Sequence, residues 1–520
     1  METVFTALGA NIITVLLSMS LLAAIVTALF SDTASGEKIK SSAFIMASAI
    51  FIASLYIYFN FDANSPALQF AVKYKWISSL NINYGVGIDG LSLFLVLLTT
   101  LLTPIVIVTI DTGAFKNLKY YIALYFLLEF TMLGALVATD MVLFYAFWEL
   151  MLIPMYLIIG CWGGPNRIHA AVKFFLYTVF GSVFMLWAIF WVVSYHQSVN
   201  GSASFDIYEL SKLVFDPVSQ RVLFCFFSIA FMIKVPLFPF HTWLAHAHVE
   251  APTGGSVILA AVLLKMGTYG FLRFSIPMFP QAAAEFAPYM MFLGAFGVFY
   301  GAIMSYAQTD LKKLIAYSSV SHLGAVTAGI FVLNAQGISG SVIQMINHGI
   351  STGALFLLVG VIYERRHSRE LSEFGGLAGC MPLYSTLFAV ATFSSIGLPG
   401  LNGFIGEFLI LLGAFGSSWT LGFLSATGVI LGAVYMLMVY ERMFLGKITK
   451  TENERLADLN FSEKLGLAPL IILMFAIGIY PSFITNKIEK AVVAVSAPFA
   501  KKITAEAGSE LSRYLCKKNY

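Results

Sequence analysis

Runs of about twenty apolar residues recur along nearly the whole chain, and about twenty is the length an α-helix needs to cross a bilayer. They begin near Ala10, Ser42, Gly90, Tyr120, Met141, Ala170, Val222, Ser256, Tyr289, Lys312, Gly340, Pro382, Thr420 and Leu465. The pattern predicts about fourteen transmembrane helices. Within lipid every backbone N–H and C=O must find its partner inside the protein, which helices achieve segment by segment. The expected fold class is therefore all-α and polytopic. Composition agrees: 11% of the 520 residues are charged and 59% are hydrophobic, against about 25% charged in soluble domains. The longer connections are Asn60 to Gly87, Gln197 to Gln220, Arg365 to Met381 and Lys447 to Lys464. No soluble domain fits between the helices.

A net charge of +3 gives no footprint for nucleic acid. Cys161, Cys225, Cys380 and Cys516 have no C-x-x-C spacing. That argues against iron–sulfur clusters, zinc ribbons and a disulfide framework, and favours apolar packing. The first thirty residues lack a basic leader and a small-residue cleavage site, and read as a first membrane helix. Counting Lys and Arg in alternate loops gives an orientation. Lys38, Lys40, Lys116, Lys119, Arg365, Arg366 and Arg369 belong to the richer set, which is expected in the cytoplasm. Both termini then lie outside, although the basic tail (Lys501, Lys502, Lys517, Lys518) argues the other way.

Two segments hint at an internal repeat. "TDMVLFYAF" from Thr139 and "TDLKKLIAY" from Thr309 open helices alike, and later "VPLFPF" and "IGLPGL" put helix breakers inside apolar runs. Inverted repeats that each contain a broken helix are a transporter signature.

Charges inside the runs carry the functional signal. A charge at the bilayer centre costs about 2.5–3.5 kcal/mol even on the lenient insertion scale. Glu149, Lys234, Lys265 and Glu407 sit mid-run, and His322 and His348 join them in polar stretches of two further runs. Lys173 lies nearer a helix end, where snorkelling to the interface explains it equally well. Neutral core histidines and a purely structural ion pair remain open for the others. Taken together they suggest a membrane-embedded proton relay. Burial disfavours the charged form of both carboxylates and amines, and moving a Glu–Lys pair apart can release a proton. Pro236, Pro239, Gly397, Pro399 and Gly400 free backbone groups, so each break predicts a hydrated pocket near Lys234 or Glu407.

Two patterns mislead. "GVGIDG" from Gly85 matches G-x-G-x-x-G but precedes a membrane helix with no βαβ unit around it, so a dinucleotide site is rejected. His241, His246, His248 and Glu250 look like metal ligands, but spacing alone does not make them converge. No metal is assigned, and cavity-edge or proton-path roles are preferred.

"KVPLFPFHTWLAHAHVEAPTGGSVILAAVLLKMGTYGFLRF", "INYGVGIDGLSLFLVLLTT", "FYAFWELMLIPMYLIIG", "DLKKLIAYSSVSHLG" and "GLPGLNGFIGEFLIL" closely resemble the antiporter-like membrane subunits of respiratory complex I. Glu407 and the absence of a long lateral helix make the chain look most like the M type rather than the L or N type. The resemblance implies about fourteen helices with two inverted five-helix repeats. The expected organisation is N-terminal helices at 1–117, repeats at 118–275 and 286–446, and a cytoplasmic loop, last transmembrane helix and tail at 447–520. It implies a proton channel in a bacterial inner membrane, driven by NADH oxidation and quinone reduction in other subunits. By resemblance, Lys234 is the pump lysine, Glu149 its partner, Lys265 the central connecting lysine and Glu407 the residue toward the outer exit. His322 and His348 fall on the connecting axis. NADH, FMN, iron–sulfur clusters and quinone are expected in partner subunits, L- and N-type subunits and membrane lipid as neighbours, and no cofactor in this chain. The family usually reads "HTWLPDAHVEAPT"; Ala245 and His246 depart from it, which puts any role of the usual aspartate in doubt. The alternatives are a D-type subunit of a multi-subunit sodium/proton antiporter, a membrane subunit of a hydrogenase-linked complex, and a non-transporting scaffold.

Overall fold

The computed structural model describes residues 11–517, with side chains up to residue 500. The basic tail residues used in the orientation argument lie beyond the described side chains. Among the described residues, 11 helices are long and apolar enough to span a membrane, joined by shorter apolar helices at Ile12–Ala28, Leu93–Thr109 and Asn402–Ser417. Every expected run coincides with a helical segment. In chain order these are α1 (Ile12–Ala28), α2 (Gly36–Phe59), α3 (Leu93–Thr109), α4 (Leu118–Val137), α5 (Met141–Trp162) and α6 (Arg167–Asn200). There follow α7 (Pro217–Lys234), α8 (Thr242–Glu250), α9 (Thr253–Met278), α10 (Pro280–Tyr306), α11 (Leu311–Phe331) and α12 (Ala335–Arg366). The last five are α13 (Pro382–Ser395), α14 (Asn402–Ser417), α15 (Trp419–Phe444), α16 (Phe461–Ile479) and α17 (Ser482–Lys517).

Large apolar side chains face outward, including Leu176 and Phe180 on α6 and Phe423 and Ile430 on α15. That is the expected pattern when lipid is the solvent. The windows through α9 and α12 are by contrast 100% buried, so these two helices form the centre of the protein.

Two features depart from the sequence reading. The connection after α2 holds an antiparallel hairpin, β1 (Gln69–Ile77) and β2 (Ile82–Ile88), turned at Asn81 with φ 56°. Its strands are rich in β-branched and aromatic residues, but a single short hairpin leaves little trace beside fourteen apolar runs. The tail expected within 447–520, for which the sequence reading assigns no secondary structure, is also helical, as α17 from Ser482 to Lys517.

The two Thr-Asp helices begin with one backbone pattern. Asp140 caps α5 by accepting from the Val142 and Leu143 amides, and Asp310 caps α11 by accepting from Lys313. In each case the preceding threonine carbonyl and the first helical amide pair with a distant extended segment. Ile207 N–H donates to Thr139 O and Met141 N–H to Phe205 O; Leu371 N–H donates to Thr309 O and Leu311 N–H to Arg369 O. The starts lie at different rims. Asp140 meets the hairpin through Asn83, whereas Asp310 pairs with Arg369, which reaches the Val249 carbonyl.

The two breaks also match. Leu237 N–H donates to Met232 O and Phe240 N–H to Leu237 O; Leu398 N–H donates to Phe393 O and Leu401 N–H to Leu398 O. In this register Lys234 corresponds to Ser395, and His246 to Glu407.

Candidate functional site: a buried polar row

Lys234 is the last residue of α7, 1% exposed, placed there by the break that follows. Its ammonium nitrogen has no hydrogen-bond partner. It lies instead over the Trp148 ring at 5.1 Å and the Phe174 ring at 5.9 Å. Aromatic faces stabilise a cation by their quadrupole, by about 2 kcal/mol or more where water is excluded. Glu149 sits beside Trp148 on α5, and its buried Oε1 is also unpartnered. The Trp148 indole N–H is committed to Ser182 Oγ at 3.0 Å. The two charges are neighbours without a direct ion pair, so nothing locks the lysine proton to one acceptor.

Lys265 lies fully buried in α9, between two π-helical turns at Leu259–Leu263 and Phe271–Ser275. Such turns are rare and frequently found at functional sites. The Lys265 ammonium donates to the Ala260 carbonyl, within the first of them. Its second contact is His348 Nδ1, at 2.5 Å. Gly267 lets α9 close against the α7 break: a Cβ there would stand 2.7 Å from the Phe231 carbonyl.

From His348 on α12 the row continues to His322 on α11, with ring centroids 5.6 Å apart. His322 Nδ1 lies 3.3 Å from Glu407 Oε1 on α14, and its Nε2 lies 3.3 Å from Ser395 Oγ at the second break. Gln344 donates to the same Glu407 oxygen at 3.2 Å. A cavity of about 30 Å³, lined by His322, Ser395, Glu407 and Ser425, adjoins this end. That is enough for water in a polar site. Lys265, His348, His322 and Glu407 thus form one continuous polar sequence through the α9–α12 centre. The second break thus has beside it a polar-lined cavity large enough for a water. The first break instead surrounds Lys234 with aromatic rings.

The histidines of the metal-like pattern diverge. His241 Nε2 meets the Tyr300 hydroxyl at 3.0 Å, and the His246 ring lies 5.8 Å from that of His169. His248 stacks on Phe356 at 4.6 Å with both ring nitrogens unpartnered, and its charged neighbours are Lys312 and Lys265. Lys173 is half-buried beside Tyr177 and lies outside the row.

Several polar groups here escaped the sequence reading. Asn347 donates to the Asn402 carbonyl, Ser394 donates to Asn402 Oδ1, and Ser351 meets Ser394, which ties α12 to the second break. Neutral side chains in an apolar run raise no alarm, so only the spacing "QMINHGIST" on one helix could have signalled them. Lys312, at the start of an apolar run, is 6% exposed. It donates to the Ala251 carbonyl beside a polar cavity of about 220 Å³.

The family model for NADH:quinone oxidoreductase/Mrp antiporter transmembrane proteins matches residues 138–432. The NADH-quinone oxidoreductase subunit M of Rickettsia prowazekii (strain Madrid E) is 45% identical over 460 residues, covering 88% of this chain and 92% of the relative. That of Rhodobacter capsulatus is 43% identical over 495 residues, covering 93% and 96%. A chain in the structure of respiratory complex I from Thermus thermophilus with bound NADH matches with a TM-score of 0.85 at 29% identity, covering 93% of this chain and 99% of that one. Buried charges, broken helices and sequence agree, and the chain belongs to the NADH:quinone oxidoreductase/Mrp antiporter family of transmembrane proteins.

Proposed function

We propose that this chain is a proton-translocating membrane-arm subunit of NADH-quinone oxidoreductase. The observation that carries the reading is the continuous row Lys265–His348–His322–Glu407 in the buried centre. Every member can bind and release a proton, and adjacent members are close enough to pass one directly or through a single water. Glu149 and Lys234 form the input pair. When their distance shortens, the carboxylate holds the lysine proton; when it lengthens, Lys234 gives its proton toward Lys265. The relatives at 43–45% identity favour the redox-driven complex over a stand-alone antiporter or a hydrogenase-linked complex.

In this reading the chain holds no redox centre. NADH, FMN, iron–sulfur clusters and quinone sit in partner subunits, and L- and N-type subunits flank it in a bacterial inner membrane. The rim with Lys312 and Arg369 faces the cytoplasm and the hairpin rim faces outward, with both termini outside. The matching caps and breaks support two inverted five-helix units, at 118–275 and 286–446, between the helices of 1–117 and the segment 447–520.

The test is NADH-driven proton uptake by inverted membrane vesicles carrying Glu149→Gln or Lys234→Ala. Uptake is expected to fall at least roughly tenfold, within the range of acid–base contributions. Normal uptake by fully assembled complex with either change overturns the relay and leaves a scaffold.

A further inference from the structure

Glu129, midway along α4, belongs to no part of the row. It is fully buried, and neither carboxyl oxygen has a hydrogen-bond partner. Its polar neighbours are Ser20 of α1 and Thr103 of α3. Each hydroxyl also reaches a carbonyl of its own helix, Ser20 that of Leu16 and Thr103 that of Thr99, both at 3.3 Å. Both neighbours are neutral, and among the described residues no cation pairs with Glu129, so an ionised carboxylate would be buried without a counter-charge. A carboxylate only accepts hydrogen bonds, whereas a carboxylic acid also donates one. The surroundings suit the acid form, and an ionisable group at this depth is a functional candidate by default.

Between Glu129 and the rim the same helix carries two further polar groups. Tyr125 and Tyr121 precede the glutamate at i−4 and i−8, on the same face of α4. Their hydroxyls are 2.8 Å apart, and both rings are buried. Tyr121 is within electrostatic reach of Glu364. The Tyr125 hydroxyl presses on Gly254, where a Cβ would come within 2.7 Å of it. Gly254 and Glu364 line one cavity of about 30 Å³, and Glu364 also lines the polar cavity of about 220 Å³ beside Lys312.

We propose that Glu129 is a second proton-binding site, held as a carboxylic acid outside the central row and loaded from the Lys312 rim through Glu364, Tyr121 and Tyr125. In the loading step a proton from Glu364 or cavity water adds to the Tyr121 oxygen as that hydroxyl passes its own proton to Tyr125. The Tyr125 proton then goes to the Glu129 carboxylate. Both tyrosines end neutral, one O–H bond forms at Glu129 and one breaks at the donor. The inference stands independently of the row.

The test is infrared spectroscopy of the purified complex containing this chain, in H2O and in D2O. Wild type minus Glu129→Gln is expected to lose a carboxylic C=O band that shifts on deuteration. Tyr125→Phe is expected to keep that band and slow its deuteration by roughly tenfold or more. Loss of carboxylate bands instead, or no carboxyl difference, overturns the site. Deuteration at the wild-type rate in Tyr125→Phe overturns the route. If Glu129→Gln fails to assemble, the wild-type complex is treated with N,N′-dicyclohexylcarbodiimide and with a water-soluble carbodiimide. The reagent takes up the carboxyl proton on nitrogen as the carboxyl oxygen bonds its central carbon, then rearranges to an N-acylurea. An adduct on Glu129 from the hydrophobic reagent alone supports the site, and no adduct overturns it.

Discussion

The Lys265 ammonium nitrogen and His348 Nδ1 share a 2.5 Å hydrogen bond at the buried junction of α9 and α12. Because the lysine donates to Nδ1, a neutral His348 carries its own proton on Nε2. Taking the lysine proton gives an imidazolium, which can release the Nε2 proton toward His322. In the proposed relay the pair is therefore a hand-over point rather than a brace. Lys265→Ala and His348→Ala should each lower NADH-driven proton uptake by at least roughly tenfold. A double variant should be no worse than either alone, since one broken link already stops the row. Additive losses in vesicle assays would show that the two residues act separately.

Gly397 controls where Glu407 can sit. Its φ is +73°, and a Cβ there would come within 2.6 Å of Glu407 Oε2. Gly397→Ala combines left-handed strain, costing about 1–2 kcal/mol, with a push on the carboxylate. A lower melting temperature is expected, together with reduced proton uptake. Gly416→Ala, where a Cβ meets open space in a helix, should leave both unchanged. Equal behaviour of the two variants would remove Gly397 from the account.

The helices and the charged members of the row were legible because both violate the solvent they sit in. Twenty apolar residues cannot face water, and Glu149, Lys234, Lys265 and Glu407 cannot face lipid. Glu129 obeys the same logic and was missed, since "LLEFTMLGAL" lacks a nearby breaker or second charge to draw notice. The closeness of Lys265 to His348, 83 residues apart, depends on how α9 and α12 pack, and no local pattern encodes that. The open Glu149–Lys234 geometry is likewise a matter of where Trp148 and Phe174 place their rings.

Arg273 and Asp89 form a two-armed ion pair, 2.7 and 2.8 Å, with Tyr208 and Tyr269 completing the arginine's partners. It pins α9 to the start of α3 at the hairpin rim. Burial pushes the Asp89 carboxyl up, but the Arg273 charge and hydrogen bonds, with the Ser92 and Leu91 amides, bring it below the usual carboxylate range. A lowered folded value means the contribution is present above the unfolded carboxylate value, about 3.9, and is lost only as pH falls through the folded one. Arg273→Met strands a buried carboxylate and should cost about 3–5 kcal/mol. In the variant burial is no longer offset by the Arg273 charge, so Asp89 is raised and takes up a proton as pH falls, while the wild-type pair stays ionised; the gap in melting temperature should therefore be widest near about pH 7 and narrow toward about pH 5. A gap that widens as pH falls across that window would contradict the ion-pair account.

In the proposed relay His248 is placed to link the Lys312 rim to the row. It lies between Lys312 and Lys265 in charge terms, is fully buried, and leaves both ring nitrogens free of partners. Among the described residues its ring's defined contact is the flat stack on Phe356, while its carbonyl accepts from Ser256 Oγ. A ring held by stacking, with unfilled nitrogens, is suited to taking a proton from one side and releasing it on the other. His248→Phe keeps the stack and removes only the nitrogens, so assembly should be unaffected. Proton uptake per NADH oxidised should fall, while His248→Gln, which keeps polar atoms at similar reach, should lose less. If the phenylalanine variant pumps normally in assembled complex, protons reach Lys265 by a route that does not include His248.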